Sequence, residues 1–109
     1  MVQDQIYLMK FYYVYFLRSL KKDFTYIGYT KDLKERLRKH NNFEVKSTKP
    51  YAPFELIFFE GYQSSKDARR REKYLKTTKG KTALKTMLKD TLEMAGSPDF
   101  VGTSPACPD

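Results

Sequence analysis

Seven consecutive residues, Phe11-Tyr12-Tyr13-Val14-Tyr15-Phe16-Leu17, contain no charged side chain and no small polar one. Aromatic and β-branched residues at this density favour a strand. A strand with one wet face would alternate apolar with polar. Here both alternate sets, Phe11/Tyr13/Tyr15/Leu17 and Tyr12/Val14/Phe16, are apolar. Such a strand needs cover on both faces, which puts it at the centre of a sheet.

The flanking segments supply that cover. Ser19 to Asp23 is polar and hairpin-like, and Phe24-Thr25-Tyr26-Ile27-Gly28 returns as a second, antiparallel strand. A glycine corner follows, and a helix is expected at once, from Lys31 to Asn41. Thr30 is the expected N-cap, and Asp32 in the first turn with Arg38, Lys39 and His40 in the last suits the helix dipole. Leu33 and Leu37 give the buried stripe, while Asp32, Arg36 and His40, each four apart, line another face. Asn41-Asn42 is expected to end the helix in a left-handed conformation.

Residues 43–53 read as loop, and Phe54 to Glu60 as a third strand ended by Gly61. Ser64 with Asp67 resembles a capping box for a second helix reaching about Lys76. Ala68, Glu72 and Leu75 share one side of it, and Arg69, Lys73 and Lys76 another. Gly80 reads as an interruption before a third helix at 81–92, with Leu84, Met87, Leu88 and Leu92 at helical spacing. The expected fold is a small α+β domain of order β-β-α-β-α-α, a three-stranded, mainly antiparallel sheet with flanking helices. Residues 1–10 are expected to be a lead-in, 11–92 the domain, and 93–109 a disordered tail.

A chain of 109 residues with 16% aromatics has enough apolar surface for one modest core. All 21 Lys and Arg precede residue 92, against 10 Asp and Glu, a balance of +11 for that part. Such charge favours a polyanionic partner, nucleic acid first. Cys107 is the only cysteine, which excludes an internal disulfide framework or a cysteine-rich zinc site. No signal-type h-region and no apolar run of about 20 residues is present. The expected location is the cytoplasm, with no membrane association.

Tyr26 at a strand end, with Arg36 and His40 on the helix that follows, forms a group suited to a phosphate. Phosphodiester hydrolysis needs charge stabilised on the non-bridging oxygens, water activated in line, and help for the leaving oxygen. Arg36 offers a planar cationic fork that Lys cannot imitate. Glu72, after Arg69-Arg70-Arg71, is either a metal ligand or one half of a helical ion pair. Tyr13, Tyr15, Tyr26 and Tyr29 are equally readable as packing residues, His40 as a helix cap and Arg36 as a solvated charge.

Tyr13-Val14-Tyr15, ten residues, then Tyr26-Ile27-Gly28 resembles the paired signature of the GIY-YIG nuclease family, with Tyr13 where Gly is typical. Arg36, ten residues after Tyr26, is similar in placement to the family's catalytic arginine, and His40 matches a position that is His or Tyr. Glu72 in Ala68-Arg69-Arg70-Arg71-Glu72-Lys73-Tyr74-Leu75-Lys76 resembles the metal-binding glutamate. The likeness covers about residues 11–90 and is greatest to small stand-alone bacterial proteins related to the N-terminal nuclease domain of the excision-repair subunit UvrC.

The resemblance implies a metal-dependent endonuclease cutting DNA, favoured over RNA, or structured nucleic acid, with a role in DNA repair. Glu72 would hold one Mg²⁺ or Mn²⁺. Tyr26 would act as general base or orient the water; a phenol ordinarily ionises near pH 10, so positive charge must lie beside it. Arg36 would neutralise the transition state, Tyr15 would hold Tyr26 or the water in line, and His40 would be a second proton-transfer candidate. Products would carry 5′-phosphate and 3′-hydroxyl ends. Tyr29 stands where the excision-repair domain has a lysine, and residues 73–92 lack the asparagine some members carry after the glutamate. The alternative is a non-catalytic nucleic-acid-binding module. In either case Lys34, Arg38, Lys39, Lys46, Lys49, Arg69, Arg70, Lys73 and Lys76 are the expected phosphate contacts. Specificity is expected from nucleic-acid shape, a protein partner or a homodimer.

Overall fold

A computed structural model describes residues 9–94. Strand β1, Tyr12–Ser19, is the middle of a three-stranded sheet of order β2-β1-β3, with β2 at Thr25–Thr30 and β3 at Phe54–Tyr62. Both pairings are antiparallel. The central position expected from the two-faced apolar pattern is thus observed.

The two faces carry separate cores. Val14, Phe16 and Ile27 pack with Ala68, Leu75, Leu84 and Leu88 from α2 (Ser65–Leu75), α3 (Thr78–Met87) and the residue that closes α3. A fourth short helix, α4, spans Lys89–Met94. On the other face Tyr15 and Leu17 pack with Ala52 and Phe54, under Leu33 and Leu37 of α1 (Leu33–Asn41). Each fully buried Leu or Val on these faces contributes about 1.5–3 kcal/mol. The register of β1 with β3 shifts between Phe16 and Leu17, so that Ile57 and Phe58 both serve the three-helix side. That bulge reconciles an apolar run in β3 with a sheet whose faces otherwise alternate.

Several local details differ from the sequence expectation. Asp32, not Thr30, caps α1, accepting from the Glu35 N–H at 3.1 Å. The Thr30 hydroxyl instead closes a turn one step earlier, accepting from the Asp32 N–H. The carboxylate two residues on reaches the first orphan donors better. Asn42 ends the helix at φ −99°, and the left-handed residue is Phe43, at φ 62°. β3 runs past Gly61 to Tyr62, because Tyr13 and Tyr12 of the central strand still pair there.

Gly80 lies inside α3 and does not interrupt it, capped by Thr77, whose hydroxyl accepts from the Gly80 N–H at 3.0 Å. A single helix at 81–92 is replaced by α3 and α4, meeting at Leu88. Met87, expected in the buried stripe, is exposed. The fold class expected from the sequence, α+β with an antiparallel three-stranded sheet and flanking helices, is observed, its last helix being split. The disordered tail expected from residue 93 falls mostly outside the described residues, but Glu93 and Met94 belong to α4. No helix among the described residues is long and apolar enough to cross a membrane.

Gly80 brings α3 onto the end of α2 so closely that a Cβ there would overlap the Tyr74 carbonyl oxygen and sit 2.7 Å from the Leu75 Cα. Backbone cannot swing aside as a side chain can. Gly80→Ala should therefore destabilise the domain by about 1–3 kcal/mol, the cost of overpacking, despite the better helix propensity of Ala. Chemical denaturation of the two proteins measures this, and an unchanged midpoint contradicts the close approach.

Candidate active site

The site begins with the β1–β2 register. Tyr15 faces Gly28 across the ladder, and its phenol lies over that glycine so tightly that any Cβ at residue 28 would overlap the Tyr15 ring end and lie 2.8 Å from the Tyr26 ring. The glycine in this strand thus makes room for two tyrosines. The Tyr15 and Tyr26 rings sit 6.1 Å apart, and α1, starting just after the corner, brings His40 to 5.6 Å and 5.2 Å from them. Tyr15 is 1% and His40 0% exposed, whereas Tyr26 keeps a partly open face.

The buried polar atoms are paired. The Tyr15 hydroxyl meets His40 Nε2 at 2.7 Å, and His40 Nδ1 meets the Thr48 hydroxyl at 2.7 Å. Thr48 is itself fully buried and donates at 3.4 Å to the Val45 carbonyl. Burial pushes the Tyr15 phenol up to about 12. Burial, with the Arg36 charge behind it, pulls His40 down to about 4. Both groups are neutral across the physiological range. The imidazole, 0% exposed, has no access to solvent.

Arg36, one turn before His40, lies against the Tyr15 and Tyr26 phenols, and contact with Tyr15 first of all raises its pKa. Its Nε is nonetheless buried without a hydrogen-bond partner. A groove runs from Arg36 past Lys31, Thr30 and Tyr29 to Ser65 and Arg69. It links α1 to α2 around the free edge of β2. The Arg69 guanidinium lies 4.1 Å from the Tyr29 ring centroid, and Tyr29 stacks on Tyr12. A cation therefore stands beside position 29 although the residue there is a tyrosine.

Glu72, one turn along α2, is near enough for its charge to act on the Tyr15 phenol. Its Oε2 pairs with Lys76 Nζ at 2.9 Å, and Lys76 in turn shares a groove with Tyr26. The ion-pair reading of Glu72 is thus realised with Lys76, while Oε1 is left for a second partner. Among the described residues no cluster of three or more His, Cys, Asp or Glu could hold a metal ion.

The expected phosphate contacts divide. Arg38 donates to both Glu35 oxygens and to Glu44, and Arg70 to Asp67. Both arginines are thereby partly neutralised and stand as surface ion pairs, worth little for stability. Lys34, Lys46, Lys49 and Lys73 are exposed, and Lys39 is partly so. Lys46 and Lys49 sit in the 43–53 segment and Lys34 near the start of α1, while Arg69, Arg70, Lys73 and Lys76 line a groove with Glu72. Sequence reading missed Thr48, which carried no signal in a segment read as loop. It also missed Lys10 and Lys31 in the groove beside Arg36.

In this small α+β domain two phenols, a guanidinium with a buried Nε and a carboxylate come near one another. The chain is a member of the GIY-YIG family: the family model of the GIY-YIG catalytic domain matches residues 11–86. It is similar to a UPF0213 protein of Clostridium perfringens, 37% identical over 65 residues, covering 59% of this chain and 69% of that one. It is likewise similar to one of Staphylococcus saprophyticus, 35% identical over 75 residues, 68% and 90% of the two chains. UPF0213 protein YazA of Bacillus subtilis is 39% identical over 63 residues, 57% and 64% of the two. No solved structure gives a significant match.

The depressed His40 pKa has a sign that can be checked. Unfolded, the imidazole binds a proton near pH 6.5; folded, only near 4. The stability it supports is full above about 6.5 and is lost as pH falls through that window, by up to about 3 kcal/mol. Urea denaturation between pH 7 and 4.5 should show this slope, and His40→Gln should flatten it. Glu55, whose carboxyl is raised by burial, acts with opposite sign in both proteins, so it cancels in the comparison. Equal slopes in the two proteins contradict the assignment.

Proposed function

We propose that this protein is a divalent-metal-dependent endonuclease that hydrolyses phosphodiester bonds in DNA or structured nucleic acid. The observation that carries the reading is Arg36. An unsatisfied buried donor costs about 1–3 kcal/mol; this one belongs to a residue that lines the groove and feels two phenols. A phosphate oxygen would satisfy it through a charge-assisted bond, with the planar fork matching the phosphate.

The roles follow from exposure and charge. Tyr15 is buried and its phenol is held neutral, so it positions its neighbours. Tyr26 is the phenol with an open face. As the phenolate it would accept from the attacking water and take its proton, with the Arg36 guanidinium close by. Arg36 neutralises the charge that builds on the non-bridging oxygens. His40 acts from behind Tyr15 and does not exchange protons with substrate.

Glu72 would hold the metal ion. A single carboxylate fits Mg²⁺ or Mn²⁺, which keep several waters and take phosphate oxygens as further ligands. Its side chain is 20% exposed, and its Oε2 pairs with Lys76; Oε1 would take such an ion. When bound, the ion would supply Lewis-acid stabilisation of the phosphate and of the leaving 3′ oxygen. Lys76 holds the carboxylate through Oε2 until then. Lys31, Arg69 and Lys73 line the approach for the flanking phosphates, and products would carry 5′-phosphate and 3′-hydroxyl ends. Substrate choice would rest on nucleic-acid shape, a partner protein or a homodimer.

Incubation with single-stranded, duplex, flapped and branched DNA should give cutting with Mg²⁺ or Mn²⁺ and none with EDTA. Glu72→Ala and Arg36→Ala should each lower the rate at least about 100-fold, and Arg36→Lys should not restore it. Binding should survive both changes and weaken steeply with salt. Cutting indifferent to both substitutions overturns the proposal. Salt-sensitive binding with no cutting on any substrate, or on matching RNA, makes the protein a binding module.

A further inference from the structure

The buried polar chain behind Tyr15 has two ends of fixed chemistry. At one end the Val45 carbonyl can only accept a hydrogen bond. At the other the Arg36 guanidinium, which lies against the Tyr15 oxygen, can only donate. Between them stand three groups able to do either: the Tyr15 hydroxyl, the His40 ring and the Thr48 hydroxyl, joined by two contacts of 2.7 Å. All three are at most 1% exposed, so water cannot supply an alternative partner.

We infer that Thr48 is a positioning residue for the reaction: it locks His40 as the Nδ1–H tautomer, so that the Tyr15 proton points at Nε2 and the Tyr15 lone pairs point at Arg36. The direction is forced. Thr48 donates to the Val45 carbonyl, so Nδ1–H donates to Thr48 and Tyr15 donates to Nε2. The reverse polarity would turn the Tyr15 O–H toward a guanidinium cation and leave that proton without an acceptor. A neutral imidazole has one donor and one acceptor nitrogen, and the burial that keeps His40 neutral makes the polarity definite.

The 43–53 segment that carries Thr48 is itself anchored. Asn41 exchanges two hydrogen bonds with the Phe54 backbone, at 2.6 Å and 3.2 Å. Tyr51 stacks on Phe24 at 3.8 Å between centroids, and the Leu20 N–H donates to the Pro53 carbonyl at 2.9 Å. Thr48 is held by packing of its segment on the β1–β2 hairpin. Its effect on Arg36 passes through two intervening side chains.

The chain has one histidine, so ring nitrogen signals need no assignment. The experiment labels the full-length protein with ¹⁵N-histidine and reads two-bond ¹H–¹⁵N correlations at pH 7. The expected result is a pyrrole-type Nδ1 and a pyridine-type Nε2. Thr48→Ser should keep that pattern, and Thr48→Val should move it toward the other tautomer. A native protein showing Nε2–H overturns the inference. So does a folded Thr48→Val with the native pattern.

The kinetic arm rests on the nuclease reading. Thr48→Val should lower kcat by about 10- to 100-fold, as when the outer partner of a functional histidine is removed, with KM unchanged and activity restored by Thr48→Ser. A Thr48→Val protein with native kcat overturns the positioning role. Failure of the native protein to cut any substrate overturns the nuclease reading, and the spectra then decide the polarity of the chain by themselves.

Discussion

A phenol hydroxyl at the centre of a central strand is the constraint around which this molecule is arranged. Tyr15 lies between β2 and β3 beneath α1, and it is 1% exposed. A hydroxyl in that position costs about 1–3 kcal/mol unless it is bonded. His40 satisfies it, Thr48 satisfies His40, and each partner must be buried to reach the one before. Gly28 is the spatial half of the same constraint, since the ring occupies the volume a side chain there would need. The strand–corner–helix geometry that places Arg36 is therefore fixed by packing against a polar group and not by apolar contact alone.

The other half of the site comes from across the sheet. α2 belongs to the opposite face, yet it packs along β2, the edge strand, and its Arg69 and Glu72 come round that edge. The guanidinium on Tyr29 shows how the two layers meet: an aromatic ring from β2 forms the floor for a cation from α2. Side chains assembled at a free edge stay open to solvent, as those in a pocket inside either core would not.

Charge counting gives little guidance to which cations are available. The run Arg69-Arg70-Arg71 looks uniform in sequence, but its members face three directions. Arg69 stacks on Tyr29, Arg70 pairs with Asp67, and Arg71 forks onto Glu60 at 2.9 Å and 3.1 Å. Successive helical residues are about 100° apart, so one of three meets the groove, one the solvent and one the edge of β3. Arg38, similarly, is occupied by Glu44, six residues away across the helix end.

What the residues determine by themselves here is what depends on short periodicity. The doubly apolar heptad forced a central strand, the i,i+4 leucines of α1 set its buried face, and Ser64 with Asp67 marked the start of α2; from these the α+β order was legible, as were the separated motifs of the family. Errors fell where two nearby side chains could each cap the helix, as with Thr30 and Asp32, or where a glycine was judged by propensity while its packing decided, as at Gly80. Only the tertiary structure could set the protonation of His40, the importance of Thr48 and the pairing of each arginine. The histidine and Thr48 depend on burial and on partners 8 to 25 residues apart, and desolvation is a property of the finished packing that no local pattern of residues encodes.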